Sequence, residues 1–302
     1  MELTNLLSVA EKFSDEKVCR DYLIQARWNG KVKCAHCGYD EKIYWINEGK
    51  LFKCAKCKKQ FTVKLGTMFE DSAIPLRKWF FAIFILSSHK KGISSLQLSR
   101  DIKVTQKTAW FMLQRIRYVL ETKTENNKLK GFVEVDEAFF GWKSKEHYLR
   151  NSGGFKGKNV LLGMMERGGR IKTVMVEDIK SQSLCEQVRK HVDNDSMIVT
   201  DANHAYKDLD KDYPLRFVIN HQEAHAKGEI HIQTLESFWG MLKRGIYGIY
   251  HSVSTKHLDK YCNEFSFRYN TRKRNDSDRF LGLLNRCNSK IQYKTLIGEN
   301  AK

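Results

Sequence analysis

Two close cysteine pairs constrain this chain more than any other feature. Cys34-Ala-His-Cys37 and Cys54-Ala-Lys-Cys57 are separated by sixteen residues, the spacing at which two knuckles present four thiolates to one tetrahedral zinc ion. His36 lies inside the first knuckle, but four sulfurs already complete the shell. Short alternating runs surround the pairs, Ile43-Tyr44-Trp45 and Lys50-Leu51-Phe52-Lys53. Residues 31–70 therefore read as a zinc ribbon with one structural Zn²⁺ on Cys34, Cys37, Cys54 and Cys57. The remaining cysteines, Cys19, Cys185, Cys262 and Cys287, stand singly and read as small core side chains.

Charge narrows the partner. The chain has 53 Lys and Arg against 35 Asp and Glu, a formal net charge of +18, which points to a polyanion and above all to nucleic acid. A membrane span needs a run of about 18 apolar residues, and the longest stretch, Trp79 to Leu86, is too short. The start shows no basic region followed by an apolar one, so a cytoplasmic, nucleoid-associated protein with reduced thiols is expected.

Residues 1–30 carry an amphipathic pattern through Leu6, Leu7, Val18, Tyr22, Leu23 and Trp28, a helical lead-in. From 75 to 122 the spacing predicts three helices. Ser94 is placed to cap the second and Thr105 the third, with a break at Ile102-Lys103-Val104. This arrangement reads as a helix-turn-helix, with Lys103, Gln106, Lys107, Gln114, Arg115 and Arg117 as the side chains able to reach phosphates and base edges. The polar stretch 123–130 is the linker candidate. Beyond it the period becomes that of strands at Phe132–Asp136, Val160–Met165, Ile171–Val176 and Met197–Asp201, with a hairpin turn at Gly168-Gly169. Helical stretches follow at about 181–192, 231–247 and 254–270, giving an α/β domain with a mixed sheet.

Two of those strands end in an aspartate after an apolar run, Asp136 and Asp201, which puts both carboxylates near strand ends, where α/β sites form. A third, Glu236, sits on the helix that begins near His231. Three converging carboxylates suit a pair of divalent cations performing in-line phosphoryl transfer, and oxygen-only ligands favour Mg²⁺ or Mn²⁺. Glu236, Gly240 and Lys243 stand at i, i+4 and i+7 and share one helix face, so an acid and an ammonium would face the same DNA backbone. Strand alternation sends Glu137 to the face opposite Asp136, a structural or supporting position. Glu134 shares Asp136's face and reads as an exposed strand residue. Phe139, Phe140, Phe238 and Trp239 read as core.

The segments Val133-Glu-Val-Asp136-Glu137, Val199-Thr-Asp201 with Ala205-Tyr206, His231-x-x-Thr-Leu-Glu236-Ser-Phe-Trp-x-x-Leu-Lys243-Arg-Gly-Ile-Tyr-Gly and Phe267-Arg-Tyr-Asn270 resemble insertion-sequence transposases of the DDE type that carry an N-terminal zinc ribbon, the ISXO2-like transposase family. With the cysteine pairs, the resemblance runs from about residue 15 to 285. It implies an RNase H-like catalytic domain over 131–285 behind the ribbon and the helix-turn-helix, and a DNA transposase that binds element ends, cleaves them and joins the freed 3′-hydroxyl to target DNA. By position it makes Asp136, Asp201 and Glu236 the ligands of two Mg²⁺ or Mn²⁺ ions. Lys243, with Arg244 beside it, would contact DNA. The implied partners are double-stranded terminal inverted repeats and target DNA, met by a homodimer or higher oligomer. Many relatives read His-x-Asn where this chain has His231-Ile232-Gln233, so both Gln233 and Glu236 stand as candidates for the third position. A DNA-binding regulator without catalysis, or a structure-specific nuclease of the same fold, are the alternative functions.

Overall fold

The computed structural model describes residues 3–120, 127–141, 158–219, 230–291 and 295–296. The first part of the linker candidate, 123–126, lies outside the described residues. The chain divides into two compact units, residues 1–121 with 272–302, and residues 122–271. Among the described residues no helix is long and apolar enough to cross a membrane.

The first unit is built on helix α3 (Leu76–Ser88), which follows α1 (Leu6–Lys12) and α2 (Glu16–Trp28) in the helical series. Beyond its first turn α3 is almost wholly apolar, and Trp79, Phe80, Ile83 and Leu86 are all fully enclosed, as expected of a central helix. Pro75 gives α3 no side-chain cap. The Glu16 carboxylate supplies one instead, accepting hydrogen bonds from the backbone N–H groups of Leu76 and Arg77 at 2.9 and 3.3 Å. A knot of edge-to-face rings joins Phe13, Phe80 and Phe280. Phe280 belongs to α9 (Asp276–Asn285), a helix from the chain's end that packs on α3 and that the hydrophobic pattern had not marked.

Helices α4 (Ser95–Asp101) and α5 (Gln106–Leu120) follow the expected breaks. Ser94 caps α4 through the Gln97 N–H, and Thr105 accepts from the Thr108 N–H at 3.2 Å. Lys103 turns the chain between them with a left-handed φ of 51°. The surface of α5 differs from its sequence reading. Gln114, Arg115 and Arg117 were expected to face DNA, yet they are 0%, 6% and 0% exposed. Arg115 hydrogen-bonds the Met68 and Glu70 carbonyls and so ties α5 to the segment before α3, while Gln114 and Arg117 are enclosed in the unit. Lys103, Gln106 and Lys107 at the start of α5 are exposed.

The ribbon's sheet is antiparallel, β1 (Ile43–Ile46), β2 (Leu51–Cys54) and β3 (Gln60–Phe61) in that order. Phe52 and Phe61 are buried and meet Trp28 edge-on.

The second unit holds a five-stranded sheet of order β6-β5-β4-β7-β8, formed by β4 (Phe132–Phe140), β5 (Asn159–Glu166), β6 (Ile171–Val176), β7 (Met197–Asp201) and β8 (Leu215–Ile219). The first three strands pair antiparallel, whereas β4, β7 and β8 run parallel. The β5–β6 hairpin turns at Gly168, whose φ of 71° a glycine adopts without strain. On one face Val133, Val135, Leu162 and Ile198 pack with Leu184 and Val188 of α6 (Ser181–His191) and with Tyr206. On the other, Ala138, Phe140 and Leu161 pack with Leu235, Phe238 and Trp239 of α7 (Gln233–Gly245) and with Phe265 of α8 (Thr255–Asn270). Such a mixed, two-faced sheet is consistent with an RNase H-like fold. The four single cysteines are buried in the two units.

Candidate active site and zinc centre

The two cysteine knuckles repeat one local geometry. The Gly38 N–H donates to the Cys34 carbonyl and the Lys58 N–H to the Cys54 carbonyl, at 2.9 and 3.0 Å. Gly38 and Lys58 both take positive φ, 76° and 61°, and this reversal folds each second cysteine back beside the first. The sulfurs of Cys34 and Cys57 lie 3.7 Å apart and those of Cys37 and Cys54 3.8 Å. Thiolates at the corners of a tetrahedron about 2.3 Å from zinc are separated by about 3.8 Å, so the four residues fit the ion. The His36 imidazole instead meets the Gln60 carbonyl through Nε2 at 3.1 Å.

In the second unit the site is set by register. The parallel ladder pairs Glu134 with Val199, which brings Asp136 and Asp201, two residues further along each strand, to the same level on neighbouring strands. Both lie on the face toward α7. The Trp239 indole N–H donates to Asp136 Oδ2 at 3.1 Å, fixing that carboxylate. Its close approach depends on Gly163, directly opposite Asp136 on β5. A Cβ there would stand 2.5 Å from Trp239 Cζ2 and 2.9 Å from Leu235 Cδ1. Gly240, by contrast, has ordinary room.

The α7 helix lacks a side-chain cap of its own, since Ile232 occupies the N-cap position. Glu134 provides one from β4: its Oε2 accepts from the Leu235 N–H at 3.0 Å. The same carboxylate pairs with Arg167 at 3.2 Å, and Arg167 also donates to the His231 carbonyl. Glu134 is 0% exposed, which corrects its reading as an exposed strand position. A buried acid is retained here because it satisfies a helix end and a guanidinium at once. Glu134→Gln should therefore cost about 2–4 kcal/mol through the unpaired Arg167 and should raise amide exchange in the first turn of α7. Unchanged protection at Leu235 and Glu236 in that variant would contradict this role.

Three acids gather where the β4–β7 ladder stops. Asp136, Glu137 and Asp201 each place a carboxylate oxygen within 4.8 Å of the others. Burial first, then the neighbouring Asp201, pushes the Asp136 carboxyl up to about 7. Burial likewise raises Glu137 to about 7. Such a cluster is electrostatically unfavourable without a cation and offers the oxygen donors that Mg²⁺ or Mn²⁺ takes. Glu236 is exposed on the first turn of α7. It is near enough to Asp136 to raise its pKa but stands outside the tight oxygen cluster among the described residues. Gln233 is exposed at the helix start, and Lys243 and Arg244 are exposed two turns further on. The Lys243 ammonium lies 6.0 Å from the Phe140 ring centroid. Sequence reasoning had not placed Glu137 in the cluster, Glu134 as a cap, or Gly163 as the residue that admits Trp239.

A mixed α/β sheet with clustered acids, in a chain that also carries a four-thiolate ribbon, defines a class of protein with two candidate metal centres, one of sulfur and one of oxygen donors. Residues 128–270 match the model of the ISXO2-like transposase domain, and residues 14–60 that of the transposase zinc-ribbon domain. The chain is 27% identical over 273 residues, 85% of its length and 91% of the relative's, to a Halobacterium salinarum protein named as an uncharacterized protein in transposable element ISH50. It is 29% identical over 101 residues, 33% of its length and 81% of the relative's, to an uncharacterized transposase-like protein of Haemophilus influenzae. No solved structure matches the chain. The chain belongs to the ISXO2-like transposase family.

Proposed function

We propose that the protein is a DNA transposase that cleaves element ends and joins the freed 3′-hydroxyl to target DNA by two-metal phosphoryl transfer. The observation that carries this reading is the level placement of Asp136 and Asp201 on adjacent parallel strands, beside the helix that bears Glu236. Divalent ions bound there would activate the attacking oxygen and stabilise the leaving one. The chain's own residues prepare that chemistry. Trp239 and Asn203 hold the first two carboxylates in place through hydrogen bonds, and Glu134 anchors the helix of the third.

Lys243 and Arg244 supply positive charge to a phosphate backbone near the acids, and Lys103, Gln106 and Lys107 at the exposed start of α5 are the DNA contacts of a helix-turn-helix formed by α4 and α5. Double-stranded element ends and target DNA are the partners, engaged as a dimer or higher oligomer.

The identity of the third ligand follows from Mg²⁺-dependent cleavage of a duplex carrying an element end. Glu236→Gln should abolish cutting, Gln233→Ala should retain measurable activity, and Lys243→Ala should weaken engagement of DNA without altering metal binding. Activity in Glu236→Gln combined with none in Gln233→Ala would move the third position to Gln233.

A further inference from the structure

Glu137 is the acid that strand alternation sends away from Asp136. Its backbone does lie on the opposite face of β4, the one shared with Val133 and Val135, which pack with Tyr206. Its carboxylate nevertheless joins those of Asp136 and Asp201. The reason is where pairing stops: the β4–β7 ladder ends at Glu134 and Val199, so beyond it the side chains of both faces can meet in the gap between the strands.

Asn203 fixes the meeting. Its Nδ2 donates to Glu137 Oε1 at 3.1 Å, its backbone N–H donates to Asp201 Oδ1 at 3.1 Å, and its Oδ1 accepts from the Ala205 N–H at 3.0 Å. One residue thereby orients two acids and starts the 3₁₀ helix His204–Lys211. The buried Tyr206 hydroxyl lies near the Glu137 carboxylate. Among the described residues, none of the three carboxylates forms an ion pair with a basic side chain. A site that orients three partly buried anions, with no protein cation paired to them among the described residues, is built for a bound one.

We propose that Glu137 is a direct ligand of the divalent cation, so that without DNA the first ion is held by Asp136, Glu137 and Asp201 and does not require Glu236. This rests on the metal-dependent reading above and adds a carboxylate to it. Glu236, exposed on its helix, completes the site when the DNA end is engaged.

Mn²⁺ binding to the full-length, zinc-loaded protein in the absence of DNA, followed by calorimetry and by the paramagnetic resonance signal of free Mn²⁺, tests this. Asp201→Asn and Glu137→Gln should each weaken binding on the order of tenfold or more, and Glu236→Gln should stay within about threefold of wild type. Glu137→Asp, which keeps a carboxylate one methylene shorter, should fall between wild type and Glu137→Gln, and Glu137→Gln should melt no lower than wild type without Mn²⁺. Retention of Mn²⁺ by Glu137→Gln while Asp201→Asn loses it would overturn the proposal and leave the metal-dependent reading standing. Equal losses in Glu236→Gln and Glu137→Gln would overturn the claim that the first ion is held without Glu236. Wild-type affinity in Asp201→Asn would sink both readings together.

Discussion

Replacing Asp136 or Asp201 with asparagine is expected to reduce strand cleavage on the order of 10³-fold or more. The Asp136→Asn protein, without divalent metal, should melt higher than wild type at pH 8. The two effects share a cause. Asp136 is pushed up to about 7 by burial and by Asp201, whereas an unfolded aspartate titrates near pH 4. Between these values the folded state holds the proton more tightly, so the metal-free protein loses stability as pH rises through that window. Asparagine cannot ionise and escapes the loss, which for a shift of this size is on the order of a few kcal/mol, or several degrees. The gap should narrow as pH falls and close below about pH 4, where Asp136 is protonated in the folded and the unfolded states alike. It should also close at pH 8 when Mg²⁺ is added, because the cation stabilises the carboxylate form alone. Thermal melting across pH, with and without Mg²⁺, checks both, and an Asp136→Asn protein that melts below wild type at pH 8 without metal would make Asp136 a structural residue.

Removal of zinc should have the largest effect on folding. The ribbon's strands span four, four and two residues, too little sheet to stand unaided, and its apolar content centres on Phe52 and Phe61. Structural zinc of this kind contributes on the order of 10–16 kcal/mol in isolated peptides, more than such a core can replace. A strong chelator should unfold residues 34–57. Elemental analysis should find about one zinc per chain, and Cys34→Ser and Cys54→Ser should each lose it. Full zinc content in Cys54→Ser would rule out the four-thiolate site whose sulfurs stand 3.7–3.8 Å apart.

Local signals were the legible ones. The cysteine spacing, the Ser94 and Thr105 caps, the Gly168 turn and the strand ending in Asp201 each depend on a few neighbouring residues, and each is found where the spacing puts it; β4, expected to end at Asp136, instead runs on to Phe140 because β5 continues to pair with it. What escaped depends on contacts between distant segments. Glu134 is a strand residue by pattern, and only the arrival of Leu235, 101 residues later, makes it a helix cap. Gly163 gives no sign in sequence that it lies opposite Asp136 under an indole ring. Arg115 and Arg117 look like an ordinary basic helix face until burial takes them. Strand β8 was missed because its residues are mostly half-buried or exposed, without the alternation that marks an amphipathic strand. Glu137 shows the limit of alternation itself, which places its backbone correctly and leaves open where a carboxylate reaches once the ladder ends.

Strand transfer is tested most directly by following one labelled strand. A duplex ending in the element's terminal repeat is incubated with zinc-loaded protein, Mg²⁺ and a circular target, and the products are resolved under denaturing conditions. Wild type is expected to give a cleaved 3′ end that becomes covalently joined to target DNA, and Asp136→Asn and Asp201→Asn are expected to give none. Cut ends that never join would describe a nuclease of this fold, and end binding with neither cutting nor joining would contradict the catalytic claim outright.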